Sequence, residues 1–256
     1  MRQPEKDWNP EAYARFRGLR LRPALDLLAQ VAALPKGDVV DLGCGDGAAG
    51  AALKARFQVP LVGVDASPAM LAKAKGYDRL TEADIWGWRP TTPPALIFAN
   101  AALHWLGDHA TLLPRLAGFL APGGTLAVQM PRQFMAPSHR FLRDIAASLF
   151  PDRFDYLHYT PPVATAAEYH AMLSPLGQVE AWETDYIQRL DASPDMHPVQ
   201  AFTGSTAMRP IVEKLNAVEE AAFRSAYDQA LGSAYPLQPD GGVLFPFRRI
   251  FFTLKV

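Results

Sequence analysis

Between residues 39 and 47 the chain reads Val-Val-Asp-Leu-Gly-Cys-Gly-Asp-Gly. A short apolar run that ends in glycines, followed by an alanine-rich stretch, is the pattern of a buried strand, a tight turn and a helix. Such a turn lets backbone approach a ligand with no Cβ in the way. The spacing Gly43-x-Gly45-x-Gly47 with Ala48 also satisfies a loose dinucleotide pattern, so spacing alone leaves the ligand open. Charge separates the alternatives better. Asp41 ends the first strand and Asp46 lies in the turn. Both would repel a pyrophosphate and attract a ligand that carries an ammonium or a sulfonium. Asp65 follows 22 residues after Gly43, where an acid can accept from two ribose hydroxyls. Asp84-Ile85 offers an acceptor for an adenine amino group beside an apolar flank for its ring. Each Asp taken alone could instead cap a helix or a turn. Three in register at strand ends favour a cationic nucleoside cofactor. Cys44 is a candidate nucleophile with no histidine nearby in sequence, and its competing role is a small residue packed in the loop.

These residues need a sheet to hold them at one edge. Apolar runs at Val39–Leu42, Leu61–Val64, Leu80–Ala83, Ala95–Ala99 and Thr125–Met130 alternate with helical stretches. That alternation predicts an α/β fold with a doubly wound parallel sheet. Residues 11–33 read as helical, with Leu21, Leu25, Leu28 and Ala32 at helical spacing and Pro23 starting a new helix or kinking the old one. Ser67-Pro68 supplies an N-cap and a first-turn proline for a helix to about Lys75, and Asp108 caps another that ends before Pro122. Beyond residue 130 the pattern changes. Residues 138–176 read mostly as helix with a break at Pro161-Pro162, Val179–Leu190 as a strand, and Ile211, Leu215, Val218 and Ala222 as one helix face. Phe245–Val256 reads as a final strand.

Bulk properties bound the function. The chain has 256 residues, half of them apolar, and a formal net charge of −1. That balance argues against a nucleic-acid partner. One cysteine forms no internal disulfide and fits a reducing compartment. No run approaches the roughly 18–20 apolar residues that a membrane span needs, and the N-terminus lacks a signal-peptide core. A cytoplasmic protein with a small-molecule partner is expected, without membrane attachment or a metal site. Its oligomeric state is open, with a monomer favoured over a dimer.

The segments VVDLGCGDG (39–47), VGVDASPAML (62–71), EADI (82–85), LIFANAALHWL (96–106) and LAPGGTLAVQM (120–130) resemble the class I methyltransferases. The segments DWNPEAYARF (7–16), RLRPALDLL (20–28), AVQMP (127–131), PSHRFLRD (137–144), MRP (208–210), AYPLQPDG (234–241) and LFPFRRIFF (244–252) resemble the trans-aconitate 2-methyltransferase family, with a weaker stretch around 150–200. The resemblance implies a Rossmann-like, seven-stranded sheet whose last strand is antiparallel, under a helical lid. Within a single domain, 1–256, it implies an N-terminal helical cap at 1–33 and a cofactor-binding core at 34–130. Lid helices and the sixth strand follow at 131–243, and the last strand at 244–256.

It also implies S-adenosyl-L-methionine as cofactor and methyl-ester formation on a small polycarboxylate. Carried over by position, Gly43 and Gly45 line the methionine portion and Asp41 helps hold its amino group. Asp65 and Ala66 meet the ribose, Asp84 and Ile85 the adenine, and Asn100 and Ala101 the reacting end. Tyr13 and Arg20 close over the cofactor. His104, Trp105, Arg209, Tyr235 and Arg249 are the candidate substrate residues. Each arginine has a competing reading as a solvated charge, His104 as a loop residue, and Trp105 and Tyr235 as packing. The chain departs from the family where His104 replaces Gln, Phe202 replaces Trp and Arg248 replaces Pro. A carboxylate acceptor is already ionised near neutrality, since its pKa lies near roughly 4, so no general base is expected. A phenol or amine acceptor would make His104 the candidate base. The rivals are a methyltransferase for another small molecule, an NAD-linked oxidoreductase, and a non-catalytic binding protein.

Overall fold

The computed structural model describes residues 17–204 and 206–256. They contain seven strands: β1 (Val39–Leu42), β2 (Leu61–Asp65), β3 (Arg79–Glu82), β4 (Leu96–Asn100), β5 (Thr125–Pro131), β6 (Gln178–Leu190) and β7 (Val243–Lys255). The helices are α1 (Arg17–Gln30), α2 (Gly50–Phe57), α3 (Pro68–Leu71), α4 (His109–Ala117), α5 (Pro137–Leu149), α6 (Ala166–Leu173), α7 (Pro198–Gly204), α8 (Arg209–Val212) and α9 (Ala217–Ala234). Short 3-10 turns cover Leu103–Trp105 and Ser174–Leu176.

The sheet order is β3-β2-β1-β4-β5-β7-β6. The first five strands are parallel, and β7 runs antiparallel to β5. This is the doubly wound sheet expected from the alternation of runs, with the antiparallel strand expected from the resemblance. The chain leaves β1 toward β2 and β3, then returns to its other side for β4 and β5. The strand order therefore reverses between β1 and β4, and an open sheet of this kind binds ligands at the carboxyl ends of the strands there.

The chain divides into two compact units. Of the described residues, the larger comprises 21–132, 160–186 and 247–256; the smaller comprises 17–20, 133–159, 187–204 and 206–246. In the larger unit one sheet face is covered by α1 and α2. Leu27, Leu28, Val31 and Leu53 pack there on Val39, Leu61, Leu96, Phe98 and Phe251. Burial of these side chains contributes roughly 1.5–3 kcal/mol each and holds the strands side by side. In the smaller unit α9 packs against α5 and α7, burying Phe223, Tyr227 and Leu231.

Three helix expectations are corrected. Of the two alternatives for Pro23, a new helix start is excluded, since it lies buried inside α1; the lost backbone bond is offset by burial of its neighbours Ala24, Leu27 and Leu28. α1 also ends at Gln30, and Leu25 is exposed. α3 stops at Leu71 instead of Lys75, because Ala74 and Lys75 pack on the glycine turn, where a Cβ at Gly47 would stand 3.1 Å from each. The face drawn through Ile211, Leu215, Val218 and Ala222 is broken. Asn216 is the N-cap of α9, accepting from the Val218 and Glu219 N–H groups at 3.0 Å, while Glu219 accepts from the Asn216 N–H at 2.9 Å. Val218 is consequently exposed. Replacing Asn216 by Ala is expected to lower stability by about 1 kcal/mol in urea unfolding, with Asn216→Asp close to neutral.

Candidate active site

The glycine turn leaves the buried end of β1 and closes on itself. Gly43 and Cys44 both donate to the Val64 carbonyl, at 2.8 and 3.0 Å, and Gly47 donates to the Cys44 carbonyl at 3.0 Å. Gly43, Gly45 and Gly47 adopt φ of 76°, 56° and 85°, a region that side chains disfavour. At Gly43 space is limiting as well: a Cβ would lie 2.3 Å from the Ala102 Cβ, across the reversal point, and 3.6 Å from Ile85 Cδ1. Among the described residues a Cβ at Gly45 would meet only Met70 Cε, at 3.7 Å.

Asp65 ties the turn to the next strand. One carboxylate oxygen accepts from the Gly45 N–H at 2.8 Å and the other from the Ser67 N–H at 2.9 Å. A carboxylate has about four lone-pair sites, so these bonds leave capacity for further donors. Ala66 is exposed beside it.

Asp41 is 2% exposed. It accepts a hydrogen bond from the Tyr77 hydroxyl at 2.7 Å. Burial pushes its pKa up to about 7, opposed by the Tyr77 bond and reinforced by the charge of Asp65. The Tyr77 ring lies under the turn: a Cβ on Gly50 or Gly63 would stand 2.9 Å from it, and one on Gly47 3.1 Å. Gly63 is the register neighbour of Asp41 on β2, so its missing side chain is what lets Tyr77 reach the acid. Sequence reading missed Tyr77; the available signal was glycine at positions 50 and 63. Cys44 is buried, and burial together with Asp41 and Asp65 pushes its thiol up. It is a packing residue of the loop, not an activated nucleophile.

Asp84 is exposed after β3 and accepts from the Trp86 N–H at 2.8 Å. Arg115 of α4 fixes this loop by donating to the Ile85 and Trp88 carbonyls at 3.0 and 2.9 Å. Its guanidinium also faces the rings of Trp86 and Phe119. Arg115 was another residue that local sequence did not indicate.

At the end of β4, Ala101 takes the left-handed φ of 53° and donates to the Gln129 carbonyl at 2.8 Å. A non-glycine residue in that region stores strain, of the kind that gathers at ligand sites. Asn100 Oδ1 and His104 Nδ1 are buried with no hydrogen-bond partner among the described residues. Burial, with the charge of Arg249 second, pushes the His104 pKa down to about 3. Trp105 is largely exposed, its ring 4.6 Å from that of His104. Arg249 of β7 is 5% exposed, donates to Gln129 Oε1 at 3.2 Å and sits 4.9 Å from the Phe247 ring.

The larger unit thus carries Asp41, Gly43, Gly45, Asp65, Ala66, Asp84, Ile85, Asn100, Ala101, His104, Trp105 and Arg249. Arg209 and Tyr235 belong to the smaller one. Arg209 forms an ion pair with Glu213 at 3.4 Å. Tyr235 is buried, and its hydroxyl accepts from the Ser138 N–H at 3.1 Å, at the start of α5. Arg248 faces outward and meets both oxygens of Asp185, at 2.8 and 2.9 Å, while Phe202 packs on Phe245. Tyr13 lies outside the described residues, and Arg20 falls in the first turn of α1. Among the described residues there is no cluster of side chains that could hold a metal ion, and no helix long and apolar enough to cross a membrane.

Residues 13–178 match the family described as a methyltransferase domain. A protein of Methylobacterium nodulans named trans-aconitate 2-methyltransferase is 42% identical, over 97% of this chain and 98% of its own length. Proteins of that name from Azoarcus sp. and Escherichia coli are 41% and 38% identical, over 96% and 97% of this chain and 98% of each relative. This chain belongs to the trans-aconitate 2-methyltransferase family. Solved structures agree on the fold. YcgJ of Bacillus subtilis superposes with a TM-score of 0.56 at 16% identity, covering 94% of this chain and 98% of its own. A putative methyltransferase of Bacillus halodurans does so at 0.55 and 13%, covering 91% and 98%.

Asp41 is a buried carboxylate whose ionisation is suppressed by burial. Two consequences are measurable. A group raised in the folded state contributes stability that is fully present below its unfolded value and lost as pH rises through the folded one. For Asp41 that window runs from about 3.8 to about 7. Removing the Tyr77 hydroxyl with Tyr77→Phe should therefore cost more at pH 8.5 than at pH 5.5, by about 1–3 kcal/mol in denaturant unfolding. Gly43→Ala should be the more damaging change, with loss of activity and of at least about 1–3 kcal/mol of stability, because strain and the Ala102 contact act together.

Proposed function

We propose that this enzyme transfers the methyl group of S-adenosyl-L-methionine to one carboxylate of a small polycarboxylic acid, trans-aconitate being the acceptor for which its relatives are named. The observation that carries this reading is the similarity to those relatives, 42% identity over 97% of the chain for the Methylobacterium nodulans protein. The chemistry of the strand ends supports it. S-adenosyl-L-methionine, when bound, supplies a methyl group on a sulfonium that a nucleophile displaces in line. The donor set suits that cofactor: buried Asp41 for its ammonium, the Cβ-free Gly43 and Gly45 for close approach, and the spare acceptor sites of Asp65, beside Ala66, for ribose hydroxyls. Asp84 accepts from the adenine amino group and Ile85 flanks the ring. Asn100 offers a buried acceptor at the methionine end, next to the strained Ala101.

Arg249 supplies the positive charge for a carboxylate acceptor, and a guanidinium matches carboxylate geometry. His104 stays neutral beside it. An imidazole whose conjugate acid has a pKa of about 3 is a weak base at neutral pH, which supports an acceptor that needs no proton removed. The enzyme then works by alignment and by excluding water from a pairing of opposite charges. The reading with His104 as base for a phenol or amine is correspondingly disfavoured. The acids at the strand ends likewise disfavour a dinucleotide and an oxidoreductase.

The direct test is an assay with methyl-labelled S-adenosyl-L-methionine and a panel of carboxylic acids, phenols and amines. A monomethyl ester of trans-aconitate is the expected product; transfer only to phenols or amines would overturn the carboxylate reading. With trans-aconitate, kcat should show no inflection attributable to His104 between pH 6 and 9. His104→Gln should keep turnover within a few-fold of the parent. Stability behaves differently. Burial lowers His104 to about 3 and His139 to about 4, so their contribution is present above the unfolded histidine value, about 6.5, and is lost as pH falls toward 4 and below. The unfolding midpoint should drop accordingly on acidification, and the drop should be shallower in His104→Gln.

A further inference from the structure

Gln129 lies in the middle of β5, in register with Asn100 of β4 on one side and Phe251 of β7 on the other. Gln129 is fully buried. A buried amide is costly unless both its ends are used. Its Oε1 end is occupied, since Arg249 donates to it at 3.2 Å. Because a guanidinium only donates, the amide orientation is fixed: oxygen toward Arg249, nitrogen away. The nitrogen, Nε2, is buried and has no hydrogen-bond partner among the described residues. A neutral donor is therefore held ready next to a guanidinium, on strands that meet the candidate site at their ends. Its register neighbour Asn100 leaves the opposite kind of group unused, a buried acceptor. An acceptor suits a cationic cofactor; a donor suits an anionic substrate.

We propose that Gln129 is a specificity-determining residue for the methyl acceptor, its Nε2 donating to a carboxylate that is not methylated while its Oε1 steers Arg249 onto the same group. The assignment rests on the carboxylate-acceptor reading above. It means that the enzyme requires at least two carboxylates: one to react, one to be held by Gln129 and Arg249. An acceptor with a single carboxylate leaves the amide nitrogen unsatisfied.

The test is Gln129→Met, which preserves volume and removes both amide ends. Acceptors are trans-aconitate, the dicarboxylate itaconate and the monocarboxylate crotonate; binding of S-adenosylhomocysteine is measured by calorimetry as a check on the cofactor side. A hydrogen bond to a charged group is typically strong enough that KM for trans-aconitate should rise about tenfold or more. The kcat/KM preference for trans-aconitate over crotonate should fall by a similar factor, with S-adenosylhomocysteine affinity within about twofold of the parent. A merely structural residue would weaken all acceptors and S-adenosylhomocysteine together, or leave the preference intact, and either result overturns the assignment. If the Met variant does not fold, Gln129→Glu gives the same reading through charge. It should pair with Arg249, repel a second carboxylate and depress trans-aconitate turnover more than crotonate turnover; equal depression rejects the proposal. Failure of the parent enzyme to methylate any polycarboxylate, with S-adenosylhomocysteine bound normally, would instead refute the acceptor class itself.

Discussion

A carboxylate buried under a turn of glycines is the constraint around which this site is organised. Asp41 sits at the end of a strand whose four residues are all buried. Burial raises its pKa to about 7, and the Tyr77 hydroxyl supports the charged form. Tyr77 reaches it only because Gly47, Gly50 and Gly63 present no side chains to its ring. Those absences, the left-handed backbone of the turn and the anchoring of Gly45 by Asp65 form one mechanical unit. The glycines matter as much for what packs beneath them as for what binds above.

Charge is distributed with a sense. The ends of β1, β2 and β3 carry Asp41, Asp65 and Asp84, whereas β7 brings Arg249 to the Gln129 amide. Carboxylates and a guanidinium therefore share one sheet edge. His104, electrically silent at neutral pH, sits under the influence of Arg249. Methyl transfer between a sulfonium and a carboxylate neutralises both charges, and this distribution suits the two reactants before they meet.

How legible this was from sequence depended on how far each interaction reaches. The strands showed through their apolar runs, and the glycine turn and its acids through spacing, because each is local. Residues 216–219 also carried a local signal, an N-cap followed three positions later by Glu, which outweighs the weak periodicity drawn from Ile211 to Ala222. Tyr77 and Arg115 were not legible, because their partners lie tens of residues away and neither belongs to a motif. Gln129 looked like an ordinary strand residue, since the guanidinium that bonds its amide arrives 120 positions later. Tyr235 was legible as a residue type, but not the bond its hydroxyl accepts from the Ser138 N–H.

The most direct measurement is the titration of the Asp41 carboxyl by carbon-13 NMR, with and without S-adenosylhomocysteine, which carries the ammonium of the cofactor. The account predicts an inflection near pH 7 in the free enzyme that moves down into the ordinary carboxylate range when the ammonium is bound, with Tyr77→Phe raising the free value further. An Asp41 that titrates near 4 in the free enzyme, or one whose titration ignores S-adenosylhomocysteine, would contradict the claim that a buried acid under the glycine turn is the cation receptor of this site.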